Sequence, residues 1–277
     1  MKKITKAMIF AAGIGTRLVP LTEKTPKPLL QLNGKTLLEN CILFLEDCGI
    51  KEIVINVHHL ADQIIEFIQK NKFKSKIYIS HEKRKILGTG GGLIYASNNI
   101  NNFFRLNESF LTVNPDTLWN RNYTDEFKIL EEWHFKCTVA GFILLLVPKE
   151  NCYEIREQGD FDLKYPTDDK DREDITVGVD GKQYPRMSEI ALVAKNNIKN
   201  YIYTGLQIVR IEDELYSGKK KVSGLDWDNL NERDFWTINE NWEQGGYLCG
   251  YASKQKFYHV SNLETFNNLK KEKIITY

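Results

Sequence analysis

Residues 8–30 read MIFAAGIGTRLVPLTEKTPKPLL and place an apolar strand directly before a glycine-containing turn. Gly13 and Gly15 carry no side chain, so the backbone can approach a ligand closely there and turn its N–H groups toward anionic oxygens. Thr16 adds a hydroxyl donor, and Arg17 adds a planar cation that can hold a phosphate with two parallel hydrogen bonds. The segment therefore predicts a phosphate-binding loop at the end of a strand.

A lysine follows this loop on a stiff piece of chain. Lys27 lies between Pro26 and Pro28, whose rings restrict the backbone on both sides, so its ammonium group would project from a nearly rigid segment. The pattern is not a Walker loop, because no Gly-Lys-Ser or Gly-Lys-Thr closes it. It is not the dinucleotide fingerprint either, because Leu18 stands where a third glycine is required, which disfavours a nicotinamide enzyme.

The composition is that of an ordinary globular protein. The chain has 277 residues, of which 42% are apolar and 27% charged, enough to bury a large core. A net charge of +1 gives no long-range attraction to nucleic acid or to an anionic membrane, so we expect neither as a partner. We find no signal-like or membrane-spanning apolar run, which predicts a cytoplasmic protein. The five cysteines are scattered, which predicts reduced thiols rather than disulfides or a zinc site.

The first 120 residues alternate between strand-like and helix-like patterns, which predicts parallel βαβ units. We expect strands at 7–12, 53–57, 77–79 and 110–113, and helices at 36–48, 60–68 and 93–99. Gly49 would end the first of these helices. Asn114 and Asp116 would lie at the carboxyl end of the last strand, which is the edge where open parallel sheets bind ligands.

The rest of the chain changes toward strand patterns and predicts a mixed or antiparallel sheet. After a helix at 125–134, strands are expected at 138–147, 175–179, 189–194 and 201–209. Asp180-Gly181 and Asn196-Asn197 are hairpin turn signals, and the charged run at 165–174 predicts a solvated loop. Because no repeat or low-complexity linker separates the halves, we predict one domain, 1–277, with halves of about 1–120 and 121–277.

Eight motifs follow one another along almost the whole chain: AAGIGTRL at 11–18, PLT at 20–22, TPKPL at 25–29, VHHLADQI at 57–64, LGTGGG at 87–92, NPD at 114–116, YTG at 203–205 and FYHV at 257–260. Together they resemble the sugar-1-phosphate nucleotidyltransferases, which make nucleotide sugars. Within that family the chain is most similar to the short bacterial N-acetylmuramate-1-phosphate uridylyltransferases and mannose-1-phosphate guanylyltransferases. The resemblance implies a Rossmann-like three-layer α/β/α fold with a mostly parallel central sheet and a smaller mixed-sheet lobe that binds the sugar.

The resemblance also implies which residues handle the two substrates. The first loop would hold the β and γ phosphates of an NTP, while LGTGGG forms a second close-approach loop against the base and ribose. Arg17 and Lys27 would be catalytic through the positive charge that they bring to the phosphates. The implied nucleotide-binding residues are Ala11, Ala12, Gly13, Gly15, Thr16, Arg17, Glu82, Thr89 and Gly90, and the implied sugar-phosphate-binding residues are Lys27, Asn114, Asp160, Thr204 and Gly205.

The metal site implied by the resemblance departs from the usual one. Asp116 suits Mg²⁺, which prefers one or two carboxylates together with phosphate oxygens and water. Many relatives place a second aspartate near the end of the chain, where this sequence has His259. We predict Asp116 and His259 as ligands of Mg²⁺, with a buried structural role of His259 as the alternative because Mg²⁺ prefers oxygen donors.

The leading hypothesis is a Mg²⁺-dependent transfer of a nucleotidyl group from UTP or GTP to a sugar 1-phosphate, with release of pyrophosphate. One alternative is a cytidylyltransferase that acts on a phosphocholine-like acceptor, because such enzymes share the opening loop. Another is a nucleotide-sugar-binding protein without turnover, which is suggested by His259 and by Pro115 within the NPD motif. We expect a monomer or a small homo-oligomer, and the identity of the sugar and of the NTP stays open.

Overall fold

The structure is a computed structural model of the chain. It describes residues 2–100, 103–104, 108–136, 140–164, 175–177, 183–185, 190–194, 199–213, 220–222, 225–226, 247–272, 274 and 276–277. The predicted solvated loop at 165–174 and the turn signals Asp180-Gly181 and Asn196-Asn197 lie outside these residues.

In the described part of the chain, one large sheet dominates the fold and two small two-stranded sheets accompany it. The strands are β1 Lys6–Phe10, β2 Gln31–Leu32, β3 Lys35–Thr36, β4 Glu52–Val57, β5 Lys76–His81, β6 Ser109–Val113, β7 Ala140–Pro148, β8 Asp162–Lys164, β9 Ile175–Val177, β10 Gln183–Pro185, β11 Ile190–Ala194, β12 Tyr201–Asp213, β13 Lys220–Val222, β14 Leu225–Asp226 and β15 Tyr247–Ala252. The large sheet has the order β5-β4-β1-β6-β12-β7-β15-β11-β8, with β13 and β14 added beside β12. Strands from both halves of the chain therefore build the same sheet.

The helices begin and end close to their sequence signals. Thr36 caps the first long helix, because its Oγ1 accepts a hydrogen bond from Glu39 N at 3.0 Å, and Gly49 follows the helix with a φ of +88°. Among the described helices, none combines the length and the apolar character needed to cross a membrane. The helices are α1 Leu21–Lys24, α2 Leu37–Asp47, α3 Ala61–Lys70, α4 Gly88–Asn99, α5 Arg121–Lys136 and α6 Leu263–Leu269, with short 3₁₀ turns at Thr16–Leu18, Lys27–Leu29 and Lys149–Asn151.

The first four strands of the sheet, β5, β4, β1 and β6, pair in parallel, which confirms the predicted βαβ units. Side chains of β1 alternate between the two faces. Ala7 and Ile9 pack in one core with Leu38 of α2, whereas Met8 packs in a second core with Leu93 of α4. Helices therefore cover both faces of the sheet, and the fold has three layers.

The second half of the sheet is mixed, as its strand patterns predict. β12 pairs antiparallel with both β6 and β7, β15 pairs parallel with β7, and β11 pairs antiparallel with β15 and β8. The strands on either side of Asn196-Asn197 do not pair with each other in the described part of the chain. Both edges of β12 are occupied by β6 and β7, so β11 pairs elsewhere in the sheet.

The LGTGGG segment is helical rather than a loop. α4 begins at Gly88 and includes the three glycines at 90–92, which precede the helix predicted at 93–99. Glycine weakens a helix interior, but Gly92 packs so tightly that an added Cβ would lie 2.8 Å from Glu82 Oε1 and 2.9 Å from Asn56 Nδ2. Tertiary packing therefore requires glycine here and overrides the local preference for a turn.

Candidate active site

A cleft of about 340 Å³ opens at the carboxyl ends of β1, β4 and β6. This is the edge at which open parallel sheets bind ligands. Its wall contains residues from the glycine turn, the proline-flanked lysine, the start of α4 and the segment after β6. The predicted site residues that line it are Ala11, Ala12, Gly13, Gly15, Thr16, Arg17, Lys27, Thr89, Asn114 and Asp116.

Gly15 shapes the first loop through its backbone conformation. Its φ of +71° lies in the left-handed region, and an added Cβ would stand 3.0 Å from Thr22 Cγ2 and 3.1 Å from Lys27 Cβ. Thr22 Oγ1 donates to the Gly15 carbonyl oxygen at 2.9 Å, and His59 Nε2 donates to the Thr22 carbonyl oxygen at 2.8 Å. The loop is thereby fixed to α1 and to the segment that follows β4.

Gly13 and Arg17 face the open part of the cleft. An added Cβ at Gly13 would meet no protein atom within 4 Å, so that space is open to a ligand. Arg17 is exposed, and no described residue lies within hydrogen-bond or ion-pair distance of its guanidinium group. An unpaired arginine beside the N–H groups of a glycine turn is a favourable environment for a phosphate.

Asp116 is the centre of a charged cluster. Its Oδ2 lies 2.5 Å from Lys27 Nζ and 3.1 Å from His259 Nε2, and the three side chains are only 15% to 19% exposed. Burial by itself raises the pKa of the Asp116 carboxyl, but the charge of Lys27 and the hydrogen bonds that Lys27 and His259 donate outweigh that effect and hold the pKa well below its ordinary value. Asp116 is therefore a carboxylate at any physiological pH.

His259 reaches Asp116 because two distant segments run side by side. Thr117 and His259 form an antiparallel bridge, and Val260 N donates to the Asp116 carbonyl oxygen at 2.8 Å. The FYHV motif thus adds a short strand-like piece next to the segment that leaves β6. Its role in the fold is to bring His259 to the edge of the cleft.

The hydrogen bonds of His259 assign its proton to Nε2. Arg156 Nη2 lies 3.5 Å from His259 Nδ1, and because a guanidinium group can only donate, Nδ1 must accept. A neutral ring then donates from Nε2 to Asp116 Oδ2. His259 and Asp116 therefore contact each other directly, and their shared binding of one ion stays a prediction.

The other carboxylate oxygen of Asp116 has no such partner. Oδ1 is buried, and none of the described residues donates a hydrogen bond to it. A buried carboxylate oxygen is costly to leave unpaired, so the site is suited to a cation. Mg²⁺ fits, since it takes one or two carboxylates with phosphate oxygens and water. Within the described ranges no three His, Cys, Asp or Glu side chains gather to hold a metal, so substrate and water would supply the other ligands.

The second glycine segment reaches the cleft through Thr89 at the start of α4. Gly90 is buried inside that helix, and Glu82 is buried behind it with 1% of its surface exposed. Asn56 Nδ2 donates to Glu82 Oε1 at 2.7 Å, and Leu87 N donates to Glu82 Oε2 at 2.9 Å. Direct contact between Glu82 and a base does not fit this placement, because both carboxylate oxygens are buried and already bonded.

Of the residues predicted to bind the sugar phosphate, Lys27 and Asn114 line the cleft, whereas Asp160, Thr204 and Gly205 are not among its lining residues. Thr204 is buried and its Oγ1 donates to a backbone carbonyl oxygen at 2.8 Å, while the Gly205 carbonyl oxygen accepts from Asn114 N at 2.9 Å. Asp160 is exposed and its Oδ2 accepts from Tyr203 N at 2.9 Å. Gly205 thus supports Asn114 from beneath, and Asp160 lies beside the start of β12.

Sequence reasoning misses Asn56, Ser261 and Arg156. Asn56 and Ser261 line the cleft, and Arg156 contacts His259. Asn56 carries a usable signal, because it is the one polar residue in the apolar run at 53–57 and lies near the carboxyl end of β4. Arg156 and Ser261 carry no comparable signal, because the residues that they approach are far away in the sequence.

Residues 6–151 match the family model of the nucleotidyl transferases, which is more than half of the 277 residues. The chain belongs to the nucleotidyl transferase family. The match begins at β1 and ends after β7, so it includes the glycine turn, Lys27 and Asp116. The family that the sequence motifs predict is thereby confirmed.

Individual nucleotidyl transferases resemble the chain over different lengths. An N-acetylmuramate alpha-1-phosphate uridylyltransferase from Caulobacter vibrioides is 38% identical over 93 residues, which are 32% of this chain and 38% of that protein. A D-glycero-alpha-D-manno-heptose 1-phosphate guanylyltransferase from Campylobacter jejuni is 27% identical over 185 residues, which are 67% of this chain and 72% of that protein. The chain therefore spans little more than a third of the length of the Caulobacter relative.

A solved structure shares the fold over nearly the whole chain. The crystal structure of HddC from Yersinia pseudotuberculosis, complexed with GMP-PN, superposes with a TM-score of 0.64 at 19% identity, and covers 97% of this chain and 99% of that one. At this identity the likeness establishes the fold alone. The protein has the Rossmann-like fold of the nucleotidyltransferases, as the motifs predict.

Proposed function

We propose that the protein transfers a nucleotidyl group from UTP or GTP to a sugar 1-phosphate and releases pyrophosphate. One observation carries the proposal: Arg17, which has no partner among the described residues, the Lys27–Asp116 pair and a glycine turn surround one cleft at the carboxyl edge of the sheet. Membership of the nucleotidyl transferase family supports the reaction. Similarity to a uridylyltransferase and a guanylyltransferase of sugar 1-phosphates supports the choice of substrates.

The reaction joins two polyanions, so positive charge must offset their repulsion. An oxygen of the sugar phosphate attacks the α-phosphorus in line, a new P–O bond forms, and the bond to the β-phosphate breaks as pyrophosphate leaves. We assign Arg17 and the N–H groups of the glycine turn to the two leaving phosphates. Lys27 would offset charge on the α-phosphate or on the sugar phosphate, and both cations act mainly by positioning and neutralisation.

Asp116 Oδ1 would hold Mg²⁺ together with phosphate oxygens and water, because it is buried at the cleft and accepts no hydrogen bond from the described residues. When bound, the ion would neutralise charge on the phosphates. His259 would keep Asp116 in place through its hydrogen bond to Oδ2, without touching the ion. This division of roles assigns one protein ligand to the metal instead of two.

Pyrophosphate release tests the proposal. The protein is incubated with Mg²⁺, with UTP, GTP or CTP, and with either a panel of sugar 1-phosphates or phosphocholine. We expect release with UTP or GTP in combination with a sugar 1-phosphate. Release only from CTP and phosphocholine would replace the proposal with a cytidylyltransferase. Binding of an NTP in calorimetry without product from any pair would indicate a binding protein without turnover.

Arg17→Ala tests the assignment of the cleft. Arg17 is exposed and unpaired among the described residues, so its removal should leave the melting temperature unchanged. The rate should fall by about 100-fold or more, as on loss of a donor to transition-state charge. Arg121→Ala is the matched control, because Arg121 is also exposed but lies at the start of α5, outside the cleft. Normal turnover by Arg17→Ala would contradict the assignment.

A further inference from the structure

Asn56 and Glu82 form a buried polar pair between the two glycine segments of the cleft. Their exposed fractions are 2% and 1%. Ala11 N, in the first loop, donates to Asn56 Oδ1 at 2.8 Å, and Asn56 Nδ2 donates to Glu82 Oε1 at 2.7 Å. Leu87 N, directly before α4, donates to Glu82 Oε2 at 2.9 Å. A continuous line of three hydrogen bonds therefore joins the first loop to the start of α4.

The direction of each hydrogen bond in this line is determined. The Ala11 N–H can only donate, so the amide oxygen of Asn56 must face it and the amide nitrogen must face Glu82. Glu82 then accepts at both oxygens, which a carboxylate can do and an amide cannot. All three hydrogen bonds can form only with an amide at position 56 and a carboxylate at position 82, or with the two groups exchanged.

The burial of Glu82 is hard to explain by stability alone. In the part of the chain that the structure describes, no lysine or arginine lies within ion-pair distance of its carboxylate. Burying an unneutralised charge is costly, and apolar side chains often replace buried polar pairs without loss of stability. A role in the cleft would account for a carboxylate at this position.

Gly92 packs closely against the same pair. An added Cβ there would lie 2.8 Å from Glu82 Oε1 and 2.9 Å from Asn56 Nδ2. Both distances are shorter than real Cβ contacts, so a side chain at this position would displace the hydrogen-bonded ends of the pair. The fit fixes α4, and with it Thr89 at the cleft, relative to β4 and the first loop.

We propose that Glu82 is a positioning residue for the nucleotide, acting through Asn56 and the Leu87 N–H. The pair sets the separation between the glycine turn and the start of α4, the two walls of the cleft that would enclose an NTP. Glu82 itself does not touch the ligand. This inference rests on the proposed function, since it requires that an NTP binds between these walls.

An exchange of the two groups tests the inference. Glu82→Gln alone sets an amide donor against another donor, and Asn56→Asp alone sets two carboxylates against each other. In the double variant Asn56→Asp/Glu82→Gln, the carboxylate at position 56 accepts hydrogen bonds from Ala11 N–H and from the amide nitrogen at position 82. The amide oxygen at position 82 accepts from Leu87 N–H. All three hydrogen bonds are thereby restored, and only the central one, between positions 56 and 82, reverses its direction.

Calorimetry with Mg²⁺ and UTP, GTP or CTP gives the dissociation constant of each variant. We expect each single substitution to weaken NTP binding about tenfold or more, as for a lost buried hydrogen bond. The double variant should recover about tenfold over Asn56→Asp, with which it shares the carboxylate at the cleft. Glu131→Gln is the control, because Glu131 is a buried carboxylate that accepts from Ile4 N at 2.7 Å far from the cleft. It should lower the melting temperature without changing the dissociation constant.

The outcomes separate this inference from the proposed function. If the wild-type protein binds none of the three NTPs, the proposed function fails. If the wild-type protein binds but Glu82→Gln binds equally well, the positioning role of Glu82 is wrong while the proposed function stands. If the double variant binds no better than Asn56→Asp, the line of hydrogen bonds is not what sets affinity, and the inference is likewise overturned.

Discussion

Replacing Gly205 with alanine should destabilise the protein and disturb the cleft. Gly205 has a φ of +91°, and an added Cβ would lie 2.8 Å from Asn114 Cβ. Gly49 has nearly the same φ, +88°, but an added Cβ there would meet no atom within 4 Å. The two positions therefore separate the strain of the backbone conformation from the steric clash.

The expected magnitudes follow from these two contributions. Alanine in the left-handed region costs roughly 1–2 kcal/mol, which is the whole effect expected for Gly49→Ala. At Gly205 the contact with Asn114 adds the cost of overpacking, about 1–3 kcal/mol. We therefore expect Gly205→Ala to lower the free energy of unfolding by about 2–5 kcal/mol, and Gly49→Ala by about 1–2 kcal/mol.

Urea denaturation measures both free energies, and the melting temperature should fall by roughly 2 °C for each kcal/mol in a chain of this length. Gly205→Ala should also weaken NTP binding, because Asn114 lines the cleft and lies two residues before Asp116. Gly49→Ala lies after α2 and should bind normally. Equal destabilisation by the two substitutions would refute the steric argument.

Gly92→Ala should lower both the melting temperature and NTP affinity, although alanine favours a helix by about 1 kcal/mol, because the added Cβ would displace the Asn56–Glu82 pair. Burial, with Arg210 nearby, lowers the pKa of His134 to about 3, so only the unfolded chain gains a proton as the pH falls below about 6.5. The free energy of unfolding should therefore fall by about 1.4 kcal/mol per pH unit between about pH 6 and pH 4, and His134→Gln should remove this contribution to the slope in urea titrations. Lys27→Ala should reduce turnover by about 100-fold and also lower the melting temperature, because it leaves the Asp116 carboxylate without the lysine that neutralises it. Adding Asp116→Asn should restore the melting temperature but not turnover, and a Lys27→Ala variant of unchanged stability would contradict the pairing.

Elements with complete local signals could be predicted from the sequence. α2 has a capping threonine before it and Gly49 after it, and its bounds follow from those neighbours. The pairing of β11 could not be predicted, because it depends on which edges of the sheet other strands occupy. The helical state of 88–92 could not be predicted either, since the requirement for glycine comes from Glu82 and Asn56 across the core.

The candidate site likewise contains residues that could be predicted from the sequence and residues that could not. The glycine turn, Arg17 and Lys27 lie within one short stretch, so their chemistry could be anticipated from the order of residues alone. The hydrogen bond between His259 and Asp116 could not be predicted, because it joins segments that meet only after the sheet has formed. The burial of Glu82 could not be predicted for a related reason, because it depends on a neighbouring strand and helix that no local pattern describes.

The late position of the FYHV motif has a consequence for synthesis on the ribosome. Asp116 and Lys27 emerge early, but the histidine that holds Asp116 Oδ2 lies near residue 260. At roughly 5–20 residues per second, translation separates the two by on the order of 10 s. During that interval the nascent chain already contains its phosphate-binding loop, but Asp116 lacks one of the two side chains that contact its Oδ2. A chain that stalls before the motif is completed therefore keeps Asp116 less firmly oriented than the finished protein does.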